Sequence, residues 1–216
     1  GYSAISSGRV RAFLWRPGHG MRNLGTLGGP HSQALDVNDA TQVVGVSRIT
    51  RDIEHAFLWT AERGLEDLGT LGGANSAAFG INDAGVVVGI SETSKGTAEP
   101  FLWRRGHGMR SLGTLGHPFA GAHSINNHGR VVGLSQKVTG NEVAFLWTPE
   151  HGMQRLPTDG PVTHSRAEDL NEFGQIVGSI TTEEEFRMIG TLWTPTLGPL
   201  AAQAPGDAAV PKIVAR

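Results

Sequence analysis

The feature that most constrains the fold is an internal repeat that runs through almost the whole chain. The run Phe-Leu-Trp ends at Trp15, Trp59, Trp103 and Trp147, and a degenerate copy, Thr-Leu-Trp, ends at Trp193. Successive tryptophans are therefore 44, 44, 44 and 46 residues apart, and the 216-residue chain is close to five such units long. Repeats of this size indicate a fold in which each unit buries its apolar face against the next.

Each unit contains four short runs that are typical of β-strands. In the clearest unit, residues 76–82 alternate small, large and polar side chains, and residues 86–91 are mostly β-branched and apolar. Residues 101–103 are Phe-Leu-Trp, and residues 109–115 form the fourth run. No run has a helical period, and the 31 glycines fall mostly at turns between runs. These observations predict an all-β chain, a single five-bladed β-propeller of about 44-residue, four-stranded blades over residues 1–216. We label the strands of a blade A to D from the centre outward.

The two ends of the chain are predicted to meet. Joining Arg216 to Gly1 aligns Gly1 with the turn glycine Gly85 and Ser7 with the strand-end Ser91. On this alignment, residues 206–216 supply strand A of the blade whose other three strands begin the chain. The propeller would then be closed by pairing of its N- and C-terminal segments and would leave no unpaired edge.

Composition excludes several classes of function. The formal net charge is −2, so there is no basic excess to neutralise the phosphates of a nucleic acid. Cysteine is absent, which removes disulfide frameworks, thiolate metal sites and cysteine nucleophiles. No apolar run is long enough for a membrane helix, so no membrane insertion is expected. The expected assembly is a monomer.

Two sets of repeated side chains are predicted to be structural. The tryptophans lie in apolar runs and are expected to form the core between blades. Asn38, Asn82, Asn126 and Asn171 precede turns, where their side chains are expected to bond the turn backbone.

Several motifs together resemble the HAF family of bacterial extracellular repeats, which is named for a His-Ala-Phe motif. That motif is complete at His55-Ala56-Phe57, and the segments Leu-Gly-Thr-Leu-Gly-Gly and Ile-Asn-x-x-Gly-x-Val-Val-Gly-x-Ser recur in register with it. The resemblance covers nearly the whole chain. It implies a bacterial protein that is extracellular or periplasmic, and it implies no catalytic residues.

The predicted binding face is formed by loops. The loops between strands B and C (residues 48–54, 92–99, 136–142 and 181–187) vary most, and they share one face with the crossings from strand D to the next strand A. Variable loops on a rigid scaffold commonly carry specificity. The sequence therefore favours a non-catalytic binding or display module that recognises a glycan, a peptide or a small ligand. The residues predicted to bind it near the axis are His31, Asn75, His117, Phe119 and His164.

An enzyme is the alternative interpretation. Asp36 and Asp169 break the repeat where the blade centre should be small, and paired carboxylates suit acid–base or glycoside chemistry. A hydrolase or lyase at the axial mouth would use His31, Asp36, His164 and Asp169. No cofactor is predicted. A divalent metal held at the axis by His31 and His164 is a further alternative, and so is a purely structural cell-surface repeat without a small ligand.

Overall fold

The protein is all-β in the residues that the structure describes. The computed structural model describes residues 1–158, 162–182, 188–195 and 213–215. Within these ranges the chain forms strands β1 to β19 and no helix. The described residues therefore contain no helix long and apolar enough to cross a membrane. The strands form five antiparallel sheets, which we number in chain order.

The bounds of the strands follow the predicted units. Sheet 1 contains β1 (Tyr2–Ala4), β2 (Val10–Arg16) and β3 (Gly20–Gly25). Sheet 2 contains β4 (Ser32–Val37), β5 (Val43–Arg48), β6 (Glu54–Thr60) and β7 (Gly64–Asp67). Sheet 3 contains β8 (Gly72–Ile81), β9 (Val87–Thr93), β10 (Ala98–Arg104) and β11 (Gly108–Ser111). Sheet 4 contains β12 (Ala120–Ile125), β13 (Val131–Gln136), β14 (Glu142–Thr148) and β15 (Gly152–Arg155). Sheet 5 contains β16 (Val162–Leu170), β17 (Ile176–Thr182), β18 (Met188–Pro195) and β19 (Ile213–Ala215).

The core lies between successive sheets because side chains alternate along the strands. Trp59 packs with Ala12 and Leu24 of sheet 1, whereas its neighbour Leu58 packs with Ala78 of sheet 3. The same alternation recurs between sheets 3 and 4 and between sheets 4 and 5. In sheets 2 to 5 the tryptophan therefore faces the preceding sheet, and in sheets 1 to 4 the leucine faces the following one. This arrangement of sheets fits a β-propeller.

The repeated asparagines link neighbouring sheets as well as their own turns. The Oδ1 atom of Asn82 accepts a hydrogen bond from the amide of Val86 at 3.0 Å, which confirms the predicted turn role. The sequence did not predict the second role. The Nδ2 atoms of Asn38, Asn82 and Asn126 donate to the main-chain oxygens of Asn82, Asn126 and Asn171 at 2.9, 3.1 and 3.1 Å. We call this series of bonds the asparagine ladder.

Serines on the inner strands form a second set of links. Each accepts a hydrogen bond from an amide in strand C of the preceding sheet, which in sheet 1 is β2: Ser32 from Ala12 at 3.0 Å, Ser76 from Ala56 at 2.9 Å and Ser165 from Ala144 at 2.9 Å. The equivalent third-strand residue of sheet 3 is Pro100, which has no amide hydrogen, and the residue in the serine position opposite it is Ala120. The donor and its acceptor are thus lost together.

The glycine of each Val-Val-Gly run is required by close packing of the inner two strands. A Cβ atom on Gly45 would overlap the main-chain oxygen of Gln33, and one on Gly89 would overlap that of Ala77. These glycines are buried, and any side chain would force strands A and B apart.

The predicted closure of the ring is wrong in the described residues. Ile213–Ala215 pairs with β18 as the outer strand of sheet 5, with Pro195 opposite Ile213, and it does not pair with β1. Residues 206–212 and 216 of the predicted closing segment lie outside the described residues. The main-chain oxygen of Gly1 accepts a hydrogen bond from the amide of Phe13 at 2.9 Å. Gly1 is therefore equivalent to Gly45 and not to the turn glycine Gly85. The pairing of β1 with β2 keeps the 44-residue spacing of the tryptophans, and the predicted alignment of the chain ends did not.

The predicted core position of the tryptophans holds for four of the five. Trp59, Trp103, Trp147 and Trp193 are 2%, 6%, 6% and 0% exposed. Trp15 is 58% exposed, so the prediction is wrong there. The other four tryptophans face the preceding sheet, whereas no described sheet packs against this side of sheet 1.

Candidate functional site

A polar cleft lies on the loop face that the sequence predicted to bind a ligand. It has a volume of about 460 Å³ and is lined by Arg48, Arg51, Asp52, Glu54 and Asn75. The first four residues belong to the end of β5, the following loop and the start of β6, and Asn75 lies near the start of β8 in sheet 3. All five side chains are polar. We call this site the loop cleft.

The base of the loop cleft is fixed by strand pairing. Arg48 and Glu54 are opposite each other on β5 and β6, and Arg48 Nε contacts Glu54 Oε1 at 2.8 Å. Between them the chain turns tightly, since the amide of Ile49 donates to the oxygen of Ile53 at 2.9 Å. The Thr50 hydroxyl accepts a bond from the Ile53 amide at 3.2 Å. The loop therefore has a defined shape before any ligand binds.

Asn75 joins the loop cleft to sheet 3. Its Oδ1 atom accepts a hydrogen bond from the Glu54 amide at 3.0 Å, and its Nδ2 atom donates to Glu92 Oε1 at 3.0 Å. The bond from the Asn75 side chain, aided by the amides of Ala74 and Asn75, holds the pKa of Glu92 below its usual range. Asn75, which the sequence predicted as a ligand residue, thus lines the loop cleft while linking two sheets.

Two side chains at the rim of the loop cleft are available for a ligand. Arg51 and Asp52 are exposed, and neither side chain forms a hydrogen bond or ion pair with another described residue. A guanidinium can bind a carboxylate through two parallel hydrogen bonds, and an aspartate accepts bonds from hydroxyl or ammonium groups. The rim can therefore bind a ligand that carries both an acidic group and a hydrogen-bond donor.

The structure does not join the other predicted binding residues into one site. His31 Nδ1 accepts a hydrogen bond from the amide of Val10 at 3.1 Å, so His31 links sheets 1 and 2 as Asn75 links sheets 2 and 3. His117 is half-buried, and its Nδ1 atom has no described partner. Phe119 is 38% exposed, and His164 is half-buried on β16. No hydrogen bond joins any two of these four side chains among the described residues.

Asp36 and Asp169 directly follow equivalent bulges of inner strands, and each accepts a hydrogen bond across a sheet boundary. Asp36 Oδ2 accepts a bond from the Ile81 amide at 2.8 Å, and Asp169 Oδ1 accepts one from the Ser124 hydroxyl at 2.6 Å. Burial raises the pKa of Asp36, the amides of Ile81 and Val37 oppose the rise, and the charge of Asp169 adds to it. The two carboxylates that break the repeat thus each connect neighbouring sheets through a hydrogen bond.

The predicted catalytic set is only partly assembled. The pKa of Asp36 is coupled to Asp169, but neither carboxylate is hydrogen-bonded to His31 or His164 in the described residues. In those same residues no group of three or more histidine, aspartate or glutamate side chains is arranged to hold a metal ion.

Sequence reasoning missed a second inner-strand cluster. His123 Nδ1 lies 3.2 Å from Glu168 Oε2 and 2.9 Å from the oxygen of Ala167, and the Phe79 ring meets the His123 ring edge-on at 6.2 Å. Phe79, His123 and Glu168 are the extra residues at the β-bulges of β8, β12 and β16. The period alone could not reveal them, because a bulge changes which face a residue occupies.

Comparison with known proteins identifies similar folds only. No protein-family model matches the chain, and no curated protein matches it. The fold is similar to that of TolB from Acinetobacter baumannii, with a TM-score of 0.55, 12% identity, and coverage of 88% of this chain and 50% of TolB. An arginine-to-alanine triple mutant of AofleA from Arthrobotrys oligospora gives a TM-score of 0.48 at 14% identity, covering 88% of this chain and 63% of AofleA. The chain therefore spans half the length of TolB and less than two thirds of AofleA. The likeness to TolB supports the propeller-like fold and says nothing of activity.

Proposed function

We propose that the chain is a non-catalytic binding module, a five-bladed propeller of HAF-type repeats exported from a bacterial cell. Its ligand is a glycan, peptide or small molecule that carries a carboxylate and binds in the loop cleft. One observation supports this proposal. The cleft has a polar base held in place by the contacts of Arg48, Glu54 and Asn75, and beside it the side chains of Arg51 and Asp52 form no hydrogen bond with another described residue.

The chemistry of the loop cleft determines the kind of binding. Arg51 binds the ligand carboxylate, and Asp52 accepts a hydrogen bond from a neighbouring hydroxyl or amine. Because the lining is polar and open to solvent, such contacts are screened by salt. The proposed affinity is therefore moderate, and it weakens as ionic strength rises.

The test is a binding screen followed by calorimetry. Acidic and neutral glycans and peptides are screened, and hits are titrated into the wild-type protein and the variants Arg51→Ala and Asp52→Ala. We expect at least about tenfold weaker binding for Arg51→Ala, which corresponds to the loss of one charge-assisted contact. Lys95→Ala, at an exposed position in the equivalent loop of sheet 3, is the matched control and should bind normally. Equal affinity of Arg51→Ala and wild type for every hit would reject the loop cleft as the site.

A hydrolase or lyase at the axis is the second candidate. It is favoured by two carboxylates that break the repeat, because burial and the charge of Asp169 raise the pKa of Asp36 and paired carboxylates are suited to acid–base chemistry. If the axis is catalytic, a substrate screen detects turnover that Asp36→Asn and Asp169→Asn abolish while Arg51→Ala retains it. Turnover that survives both aspartate substitutions would exclude this candidate.

A further inference from the structure

A second cavity lies on the opposite face of the sheets from the loop cleft, at the boundary between sheets 2 and 3. In sheet 3, the loop-cleft residue Asn75 is near the start of β8, whereas Ala84, which lines this cavity, follows the end of β8. The cavity has a volume of about 510 Å³, which is within the range of small-molecule pockets. We call it the turn pocket, because it lies beside the turns that follow β8 and β10.

The floor of the turn pocket is apolar. Leu58 of sheet 2 and Val86 and Trp103 of sheet 3 line it, and they are 1%, 6% and 6% exposed. Leu58 and Trp103 belong to the core that joins the two sheets. The floor is therefore held in place by the packing of the fold, and it offers an apolar contact to the body of a ligand.

Arg105 is fixed at one side of the turn pocket. Its guanidinium carbon lies 5.8 Å from the centre of the Trp103 ring. Its two terminal nitrogens contact the two carboxylate oxygens of Glu66 at 3.1 and 2.7 Å, so the charge of Arg105 is balanced. At the neighbouring boundaries the arginine comes instead from the outer strand of the preceding sheet: Arg22 lies over Trp59 at 4.9 Å, and Arg110 lies over Trp147 at 5.4 Å. Glu66 occupies that position in sheet 2, so here the arginine comes from sheet 3.

Arg104 supplies the turn pocket with a positive charge that is not balanced. It is exposed, and its side chain forms no hydrogen bond or ion pair with another described residue. Among the described residues no carboxylate lines the turn pocket, whereas Asp52 and Glu54 both line the loop cleft. The turn pocket therefore favours an anionic ligand over a cationic one.

The residues that form the turn pocket depart from the repeat. Arg104 and Arg105 are replaced by residues 60 and 61, Thr-Ala, in sheet 2 and by residues 148 and 149, Thr-Pro, in sheet 4. Ala84 is replaced by larger residues, His128 in sheet 4 and Phe173 in sheet 5. The packing of a unit thus requires neither two arginines nor a small turn residue, yet the two features occur together at the boundary between sheets 2 and 3.

We propose that the turn pocket binds an aromatic carboxylate, as a second ligand site that is independent of the function proposed for the loop cleft. Arg104 binds the carboxylate through two parallel hydrogen bonds, and the ring of the ligand packs against Leu58 and Val86. A single unbalanced guanidinium matches a single negative charge, because further charge on a partly desolvated ligand would have no partner. This favours a carboxylate over a phosphate dianion.

The direct test is nuclear magnetic resonance of the isotope-labelled protein titrated with benzoate. We expect saturable shifts of the amides of residues 84–86 and 103–107. Benzamide has the ring without the charge, and acetate has the charge without the ring. Each of these matched controls should bind at least about tenfold more weakly than benzoate, because it loses one of the two kinds of contact. The amides of residues 48–54 report on the loop cleft separately, so failure of the turn pocket is distinguishable from failure of the proposed function.

Two substitutions test the two features of the turn pocket. Arg104→Ala removes the unbalanced charge and should weaken benzoate binding at least about tenfold, as measured by the shifts at residues 84–86. Ala84→Phe introduces the residue that sheet 5 carries at the equivalent turn position, and by filling the pocket it should abolish the shifts at residues 103–107. Arg63→Ala removes an exposed arginine from the equivalent turn of sheet 2, and this control should leave benzoate binding unchanged.

Four results would overturn the proposal. The first is the absence of saturable shifts at residues 84–86 and 103–107 with benzoate, and the second is equal binding of benzoate by Arg104→Ala and wild type. The third is equal binding of acetate, which would mean an adventitious ion only. The fourth is tighter binding of phenyl phosphate, a dianion at neutral pH, which would mean that the turn pocket balances two charges.

Discussion

Thr41 shows how one residue can depart from its repeat without changing the fold. It has a positive φ of 60°, whereas the equivalent turn positions in sheets 3, 4 and 5 are Gly85, Gly129 and Gly174, with φ of 73°, 74° and 79°. The amide of Thr41 still donates to the oxygen of Asn38 at 2.9 Å, as Gly85 does to Asn82. A β-branched residue in this region is strained, so the turn of sheet 2 is held by its surroundings.

The substitution Thr41→Gly should therefore stabilise the protein. Relief of left-handed strain is worth about 1–2 kcal/mol, and the extra freedom of glycine in the unfolded chain removes about half of that. We expect a rise of up to about 1 kcal/mol in the free energy of unfolding, measured by urea denaturation. The reverse change at Gly129, where a side chain would meet no neighbour, should lower stability through backbone strain alone. A destabilised Thr41→Gly variant would show that the threonine side chain has a stabilising role.

Asp36 and Asp83 should give opposite dependences of stability on pH. Burial raises the pKa of Asp36 above 3.8, so the folded protein holds this proton more tightly than the unfolded chain does. Its stabilising contribution is present below that pH and is lost as pH rises through the raised value. Hydrogen bonds from the Asp39 amide and the Asn127 side chain lower the pKa of Asp83, so its contribution is present above 3.8 and is lost as pH falls.

Unfolding measured from acid to neutral pH checks both signs. The stability of wild type relative to Asp36→Asn should fall as pH rises from about the ordinary aspartate pKa of 3.8. The stability of wild type relative to Asp83→Asn should increase as pH rises toward 3.8 from more acidic solution. Differences that do not vary with pH would mean that neither carboxyl is perturbed by folding.

The inner strand is the element that holds the sheets together. It supplies the serine and asparagine bonds to its neighbours, and its small residues allow the next strand to approach closely. Between sheets 3 and 4, Pro100 and Ala120 stand at the donor and acceptor positions, and this described boundary lacks the serine hydrogen bond. Because a buried amide without an acceptor is destabilising, the loss of both partners is more favourable than the loss of one.

A double-mutant cycle at this boundary tests that explanation. Pro100→Ala restores an amide hydrogen opposite Ala120 and should cost about 1–3 kcal/mol of stability when made alone. Adding Ala120→Ser supplies the acceptor, as Ser76 does for Ala56, and should recover about 1 kcal/mol or more of that loss. The cycle cancels the effect of proline on the unfolded chain. A coupling energy near zero would show that the amide and hydroxyl do not meet.

At the scale of the whole molecule, the five sheets of the described residues pack in chain order, each against the next. The Trp15 face of sheet 1 is exposed at one end, and the Val177 face of sheet 5 is exposed at the other. Internal boundaries bury the same positions, so the contribution of an apolar residue depends on the place of its sheet in the series.

Paired substitutions measure this difference between the ends and the interior. Trp59→Ala creates a cavity between sheets 1 and 2 and should lower the free energy of unfolding by about 3–5 kcal/mol. Trp15→Ala, at the equivalent but exposed position, should change it by about 0.5 kcal/mol. Equal losses in thermal and urea denaturation would mean that Trp15 is covered in solution.

Much of the fold could be predicted because the same residue types recur at equivalent positions of successive units, so each structural position is represented several times in the sequence. The strand runs, the turn at Asn82 and the burial of Trp59 and Trp103 all follow from one repeated pattern. That the loop face binds a ligand stays a prediction; a polar cleft lies there, and of the predicted ligand residues only Asn75 lines it. Arg51 and Asp52 were missed, because a variable loop has no repeat against which to judge its residues.

The sequence by itself determined the size of the unit, its strands and the faces they bury, because a period of 44 residues and an alternation of two fix both register and direction. Only the tertiary structure decided how the ends are used: Ile213–Ala215 joins β18, and Gly1 lies opposite Phe13. It also decided that the Asn82 side chain donates to the next sheet and that the charge of Asp169 contributes to the raised pKa of Asp36. The two side-chain contacts join residues more than 40 positions apart, and no local pattern encodes which partner a chain edge or a side chain will meet in space.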